Sequence, residues 1–203
     1  MRLSKNFSLE EFTYSKIVDK HIKPTSFQIN KLQYLAENLL QPIRDKFGPL
    51  KITSGLRDLK VYRALVKAGY PASKTSDHFL VPYLIKYKGE WLVPSWAPNP
   101  RGRGAADFIA LKADAWELWH WVLKKFDKPG WDFNQFIIYP KDFSSVKTDY
   151  FHISNPSHIF AAKSITPSRN PILVYVNGNE KFKGAKFVSF DYFKKVMGKD
   201  FKF

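Results

Sequence analysis

Two histidines and one aspartate stand in sequence settings that could support metal chemistry. His78 ends the polar segment Ser76-Asp77-His78, Asp107 lies in the apolar run Gly104-Ala-Ala-Asp107-Phe-Ile, and His152 lies in Tyr150-Phe-His-Ile-Ser154. A carboxylate in an apolar strand must be paired, hydrogen-bonded or bound to a metal, because burying it alone costs several kcal/mol. Two His and one Asp form a common catalytic zinc set that leaves a fourth position open for water. On residue types alone, this set is one constellation among several.

The composition limits both the kind of site and the kind of partner. The chain has 203 residues, enough for one good-sized domain, and it contains no Cys. This excludes a disulfide framework and thiolate ligands, so a metal would have to bind His and carboxylate groups. The formal charge of +15 favours an anionic partner such as nucleic acid, a membrane surface or a cell-wall polymer. Because no apolar run is long enough to span a bilayer, we expect no membrane insertion. The first residues, MRLSKNFSLEEF, do not resemble a signal peptide, so we expect synthesis in a cytoplasm.

The positive charge is concentrated at the C-terminal end. Residues 163–203 carry nine basic and three acidic side chains, a net +6 in 41 residues. The segment Ser164–Pro171 before most of them is rich in Ser and Pro, which break regular structure. We therefore expect a main domain over residues 1–162 and a basic, folded appendage over residues 163–203.

Hydrophobic spacing and turn residues predict the elements that position these side chains. Helices are expected over about 8–14, 26–47, 59–68, 115–126 and 189–197. The first begins with a Ser8–Glu11 capping box. The second is capped by Ser26, kinked at Pro42 and ended by Gly48. Strands are expected over 51–54, 105–110, 133–139, 150–154 and 172–176, with a β-hairpin over 83–93. Helices grouped with antiparallel strands indicate an α+β fold.

Ordered motifs over about residues 7–160 resemble the zinc D-alanyl-D-alanine carboxypeptidases and L-alanyl-D-glutamate endopeptidases. The matching segments are Phe7–Phe12, Leu35–Arg44, Phe47-Gly48, Ile52-Thr-Ser-Gly-Leu-Arg57, Ser76-x-His78, Gly104-Ala-Ala-Asp107, Phe133–Ile137 and Phe151–Ser154. The resemblance implies the hedgehog/DD-peptidase fold, a small antiparallel sheet flanked by helices. It also implies that His78, Asp107 and His152 bind Zn2+, and that Arg57 faces the carbonyl or carboxylate of a peptide substrate.

The chain departs from this family pattern in two places. Relatives usually place six residues between the first His and the Asp, whereas residues 79–106 intervene here. Because a hairpin returns the chain close to its starting point, an insertion over 79–103 can leave both ligands in place. Many relatives also carry a Glu where Tyr139 stands. We expect Asp149, three residues before His152, to act as the general base, provided that it precedes the strand or that a bulge redirects it.

The leading interpretation is a zinc peptidase of D,D-carboxypeptidase or L,D-endopeptidase type that cuts peptidoglycan stem peptides. A bacteriophage origin would explain how such an enzyme reaches the cell wall or periplasm without a signal peptide. The alternative is a virion-associated or wall-binding protein that keeps the fold with little turnover and contacts other virion proteins through the hairpin or the basic tail. The case for nucleic-acid binding rests on charge and aromatic content alone. The sequence contains no recognisable nucleic-acid-binding motif, so we do not expect this function.

Overall fold

The computed structural model describes residues 1–70, 72, 76–78, 85–87, 90–92, 104–125, 133, 135–140, 148–155, 172–175 and 186–189. Its helices are α1 (Leu9–Thr13), α2 (Ser26–Tyr34), a π-helical segment (Leu35–Leu40), α3 (Gln41–Phe47), α4 (Leu59–Lys67) and α5 (Ala115–Lys125). Its strands are β1 (Tyr14–Ser15), β2 (Lys20–His21), β3 (Leu50–Ser54), β4 (Ile85–Tyr87), β5 (Glu90–Leu92), β6 (Ala105–Ala110), β7 (Gln135–Pro140), β8 (Thr148–Ser154), β9 (Ile172–Tyr175) and β10 (Lys186–Ser189). None of the described helices combines the length and apolar character needed to cross a bilayer.

Six of the strands form one sheet in the order β10-β9-β7-β8-β6-β3. All neighbouring pairs are antiparallel except β7 and β9, which run parallel. The general α+β prediction is therefore confirmed, but the expected antiparallel sheet is mixed. The parallel pair arises where the C-terminal segment joins the sheet beside β7, so the tail strands continue the sheet that contains Asp107 and His152.

One face of the sheet is apolar and packs on the helices. Alternate residues of the central strands point to this face, and the rings of Phe108, Phe136 and Phe151 stack across it with centroids 5.3 and 5.8 Å apart. The same buried cluster includes residues of the helices, among them Leu32, Leu35, Leu39, Ile43, Leu118, Trp119 and Val122. Because side chains alternate, Asp107 and His152 point to the opposite face of the same strands.

The helical segment before β3 differs from the prediction at its start and at its proline. The cap is Thr25, not Ser26: the Thr25 N–H donates to Gln28 Oε1 at 2.7 Å, and the Gln28 N–H donates to Thr25 Oγ1 at 3.3 Å. Only Thr25 has a Gln three residues later to complete the capping box. Pro42 lies in the first turn of α3, directly after the π-helical segment. A wider turn at this point accommodates a residue that lacks an N–H and crowds the preceding carbonyl.

Two further pairs of short strands lie in the middle of the chain and in its C-terminal tail. Strands β4 and β5 pair antiparallel, with Tyr87 opposite Glu90, which leaves a two-residue connection within the expected hairpin region. In the tail, β9 and β10 also pair antiparallel. The helix predicted over 189–197 falls outside the described residues. The capping box at Ser8 is confirmed, since the Ser8 N–H donates to Glu11 Oε1 at 2.8 Å.

Candidate metal centre

A row of three polar residues crosses the face of the sheet that does not carry the stacked rings. Ser54 on β3 lies opposite Asp107 on β6, and Asp107 lies opposite His152 on β8. The register between β3 and β6 shifts after Ile52, so Thr53 is the extra residue of a β-bulge that brings Ser54 opposite Asp107. Directly opposed residues share one face of a sheet, which places these three side chains together.

His78 reaches the row from a loop that is tied to the sheet on both sides. The Arg57 N–H donates to the His78 carbonyl at 3.1 Å, and the Gly104 N–H donates to the Asp77 carbonyl at 3.1 Å. Asp77 and Gly104 flank the segment 79–103, so the chain leaves and re-enters the core at adjacent points. The long insertion therefore does not separate His78 from Asp107.

Three possible ligand atoms converge around the Asp107 carboxylate. Its Oδ1 lies 2.8 Å from His152 Nδ1 and 3.2 Å from His78 Nε2. The ligand atoms of the three residues all lie within 4.8 Å of one another, and all three residues are buried. A tetrahedral zinc ion with bonds of about 2.1 Å sets its ligand atoms about 3.4 Å apart, so small adjustments would suffice to bind the ion. The group could bind a metal ion.

The hydrogen bond of His78 determines which ring nitrogen faces the carboxylate. His78 Nδ1 lies 2.6 Å from the Gly55 carbonyl, which can only accept, so Nδ1 carries the proton and donates. Burial, followed by the nearby Arg57 charge, lowers the pKa of His78, which favours the neutral ring. Its Nε2 therefore directs a lone pair at Asp107 Oδ1. A backbone carbonyl that fixes a histidine in this way is the usual partner of a metal-binding imidazole.

The carboxylate of Asp107 stays ionised despite its burial. Burial alone would raise its pKa, but the interactions of the carboxylate with the His78 and His152 rings outweigh this and hold the pKa well below its ordinary value. An ionised Oδ1 facing a bare His78 Nε2 places two lone pairs 3.2 Å apart. Two acceptors at this distance repel unless a cation or a proton lies between them, so the donor set fits a bound metal ion.

The second nitrogen of His152 is the one buried polar atom of this group that lacks a hydrogen bond. In the part of the chain that the structure describes, His152 Nε2 has no hydrogen-bond partner. Without a metal, Nδ1–H would donate to Asp107 Oδ1. When Nδ1 binds a metal instead, the ring proton moves to Nε2.

Arg57 contacts the other carboxylate oxygen. Its Nη2 donates to Asp107 Oδ2 at 3.0 Å, and its Nε and Nη2 both donate to Ser54 Oγ, at 3.3 and 3.1 Å. Sequence analysis predicts that Arg57 faces the substrate, and the structure places it beside a candidate metal ligand. Its Nη1 makes no hydrogen bond to any described residue and lies next to the candidate centre.

Asp149 stands at a second β-bulge. Tyr139 pairs with Tyr150 and Pro140 with Thr148, so Asp149 is the extra residue of β8. The strand begins at Thr148, so Asp149 does not precede it. The bulge is the other expected condition, because at a bulge the alternation of the strand no longer fixes the direction of the Asp149 side chain. The side chain of Asp149 lies outside the described part, and its role as general base stays a prediction.

Sequence reasoning missed two residues of the site, Ser54 and Gly55. A Cβ on Gly55 would clash with the backbone of Phe12, meeting its Cα at 2.7 Å, and the Leu56 N–H donates to the Phe12 carbonyl at 2.7 Å. The carbonyl that orients His78 is thus held against the end of α1. Both lie inside the segment Ile52-Thr-Ser-Gly-Leu-Arg57, and that motif is the signal that could have drawn attention to them.

Comparison of the chain with protein-family models, curated proteins and solved structures found no match.

We expect Gly55→Ala to weaken metal binding about tenfold, because the added methyl group displaces the carbonyl that orients His78. Overpacking against Phe12 should also lower the free energy of unfolding by about 1–3 kcal/mol. Gly69→Ala is the matched control: its positive φ of 79° costs about 1–2 kcal/mol on substitution, with open space around it. Zinc titration and thermal unfolding distinguish the two. Equal metal affinity in both variants would contradict the role of the Gly55 carbonyl.

We expect the metal-free protein to lose stability as the pH falls from about 7.5 to 5. The unfolded chain takes up a proton at His78 near pH ~6.5, whereas the folded chain resists protonation until a lower pH. The unfolded state thus binds more protons in this window, and the free energy of unfolding decreases. His78→Gln, which keeps a donor for the Gly55 carbonyl, should show a shallower decrease in urea titrations. A parallel decrease in both proteins would show that His78 is not buried in its neutral form.

Proposed function

We propose that the protein is a zinc peptidase that hydrolyses peptide bonds in peptidoglycan stem peptides, with a hedgehog/DD-peptidase-like fold. The observation that carries this proposal is the convergence of His78 Nε2, Asp107 Oδ1 and His152 Nδ1 beside the guanidinium of Arg57. The order of the motifs along the sequence supports the choice of family. The α+β sheet with helices on one face is compatible with it.

The ligand set suits hydrolysis better than a purely structural site. Three protein ligands leave one position open, whereas structural zinc sites are closed by four. Zinc bound there would polarise the scissile carbonyl and lower the pKa of its water toward ~7. His78, Asp107 and His152 would hold the ion, and all three side chains are buried.

Arg57 supplies the positive charge that the substrate needs. Its Nη2 is engaged by Asp107 and Ser54, and Nη1, which makes no hydrogen bond to a described residue, would bind a carbonyl oxygen or a terminal carboxylate of the peptide. A fixed guanidinium stabilises the negative charge that develops on the carbonyl oxygen during attack. The Arg57 side chain is 16% exposed, so its contact with solvent is limited.

Asp149 is the proposed general base. A carboxylate near the attacking water must accept its proton and pass it to the departing amine. Asp149 lies three residues before His152, and the bulge in β8 interrupts the strand alternation at Asp149. The bulge supports the second of the two conditions, that a bulge redirects the Asp149 side chain.

The charge of the chain suits an anionic wall as the place of action. The basic tail, residues 163–203, would hold the protein on the polymer, and a phage-encoded protein would reach the wall during infection or lysis. The second candidate, a wall-binding or virion protein with little turnover, draws on the same tail and on the insertion over residues 79–103. The two candidates differ in turnover.

We expect His152→Ala to abolish zinc binding and activity, and Asp149→Asn to retain zinc and lose activity. Loss of a ligand empties the site, whereas loss of the base stops proton transfer alone. His21→Ala and Asp45→Asn are matched controls, since both residues are exposed and lie outside the cluster. Metal analysis and mass spectrometry of digested muropeptides provide the two measurements.

The outcomes separate the candidates. Zinc with cleavage supports the peptidase, zinc without cleavage in the wild-type protein supports the wall-binding candidate, and a wild-type protein that binds no zinc removes the metal site and the peptidase. A fully active Asp149→Asn variant would move the base to another residue.

We expect the tail to bind the wall by charge. Replacing Lys163, Lys199 and Lys202 with Gln should weaken binding to sacculi, most at low salt, where screening is least. The same change at Lys16, Lys20 and Lys23, which are exposed on the N-terminal segment, lowers net charge equally and should weaken binding less. Substitution is preferred to deletion, because β9 pairs with β7. Equal losses in the two triple variants, measured by cosedimentation, would show that net charge and not the tail sets wall affinity.

A further inference from the structure

The Asp107 carboxylate uses its two oxygens for different partners. Oδ1 faces both imidazoles, whereas Oδ2 accepts from Arg57 Nη2 at 3.0 Å. The side chain is 12% exposed, so little solvent is available to replace this bond. A carboxylate can bind a metal through one oxygen or through both. The hydrogen bond to Oδ2 competes with binding through both.

Ser54 in turn orients the guanidinium of Arg57 through hydrogen bonds. The Ser54 hydroxyl oxygen accepts from Nε and from Nη2 of the guanidinium, which fixes the plane of the group. The bulge at Thr53 places Ser54 opposite Asp107, so the serine and the aspartate contact the same Nη2. Without the bulge, Thr53 would lie opposite Asp107, and the Ser54 hydroxyl would point to the other face of the sheet.

We propose that Ser54 and Arg57 form a clamp that makes Asp107 a one-oxygen metal ligand. Arg57 occupies Oδ2 and prevents it from entering the coordination sphere, and Ser54 orients Arg57. The clamp thereby keeps the fourth position of a tetrahedral ion open. Ser54 is a positioning residue, since it acts through Arg57 and contacts neither the ion nor a substrate.

This inference rests on the metal centre of the proposed function but not on the peptidase reaction. A centre in which Asp107 bound through both oxygens would still bind metal, but the second oxygen would add a fifth ligand beside the water. The clamp therefore predicts a change in coordination that metal binding alone does not require, and that can be observed without any substrate.

Cobalt(II) added to the zinc-free, full-length protein is the probe, because a five-coordinate Co2+ ion absorbs visible light more weakly than a four-coordinate one. We expect Arg57→Gln to lower the absorption of the bound ion and to weaken Co2+ affinity about 10–100-fold, the usual effect of removing a partner of a metal ligand. Ser54→Ala should change both in the same direction but less. Ser54→Thr, which keeps the hydroxyl, should restore the wild-type spectrum.

Two exposed residues outside the clamp give matched controls. Arg63→Gln removes the same charge on α4, and Ser26→Ala removes a serine hydroxyl from the start of α2, so both should bind Co2+ as the wild type does. Circular dichroism confirms that each variant is folded, and Ser54→Thr preserves the test if Ser54→Ala does not fold.

The result that overturns the clamp is a wild-type Co2+ spectrum and affinity in Arg57→Gln, or in Ser54→Ala with an intact fold. Equal changes in Arg57→Gln and Arg63→Gln would also overturn it, by assigning the effect to net charge. If the clamp variants behave as expected while the wild-type protein cleaves no muropeptide, the proposed function fails and the clamp stands. If the wild-type protein binds no Co2+, the metal centre itself is wrong and both fail.

Discussion

The buried carboxylate of Asp107 is the group on which the arrangement of the site depends. A charge in an apolar strand is tolerable only if its oxygens are satisfied, and here each oxygen has charged or polar partners from other elements. Removing the partners on one side would leave an uncompensated charge in a buried place, which costs several kcal/mol. This requirement draws the loop containing His78, the strand containing His152 and the Ser54–Arg57 segment to one point.

The opposite face of the same strands supplies the rigidity that this point needs. Phe108 and Phe151 flank Asp107 and His152 in sequence and stack in the core, so the backbone that carries the ligands is fixed by packing beneath them. The N-terminal helix contributes in the same way, because Phe12 closes on Gly55 and holds the carbonyl that orients His78. The positions of the candidate ligands and the packing of the core are thus coupled, because the two sets of side chains alternate along each strand.

Features that depend on neighbouring residues could be predicted from the sequence, whereas features that depend on residues far apart in the chain could not. Strand β6 was predicted with its observed bounds, and the Ser8 capping box is confirmed, because both depend on neighbouring residues. The general α+β class is also confirmed, and the three candidate ligands lie together. The Thr53 bulge, the parallel pairing of β7 with β9 and the contact of Gly55 with Phe12 depend on residues far apart in the chain. Local patterns carry no signal for such register and packing, so these features could not be predicted.

The 28 residues between His78 and Asp107 show which free-energy term dominates. Compared with a loop of about six residues, this loop is longer by a little over two doublings, and at about 0.6 kcal/mol each these cost a little over 1 kcal/mol of closure entropy. That is less than the cost of leaving the Asp107 charge unpaired. The bonds from Gly104 to Asp77 and from Arg57 to His78 close the loop at its base, so its length adds no strain at the ligands. Because pairing the Asp107 charge outweighs the closure entropy of the loop, residues 79–103 can vary while His78 remains in contact with Asp107. The carboxylate, and not the loop, determines where His78 lies.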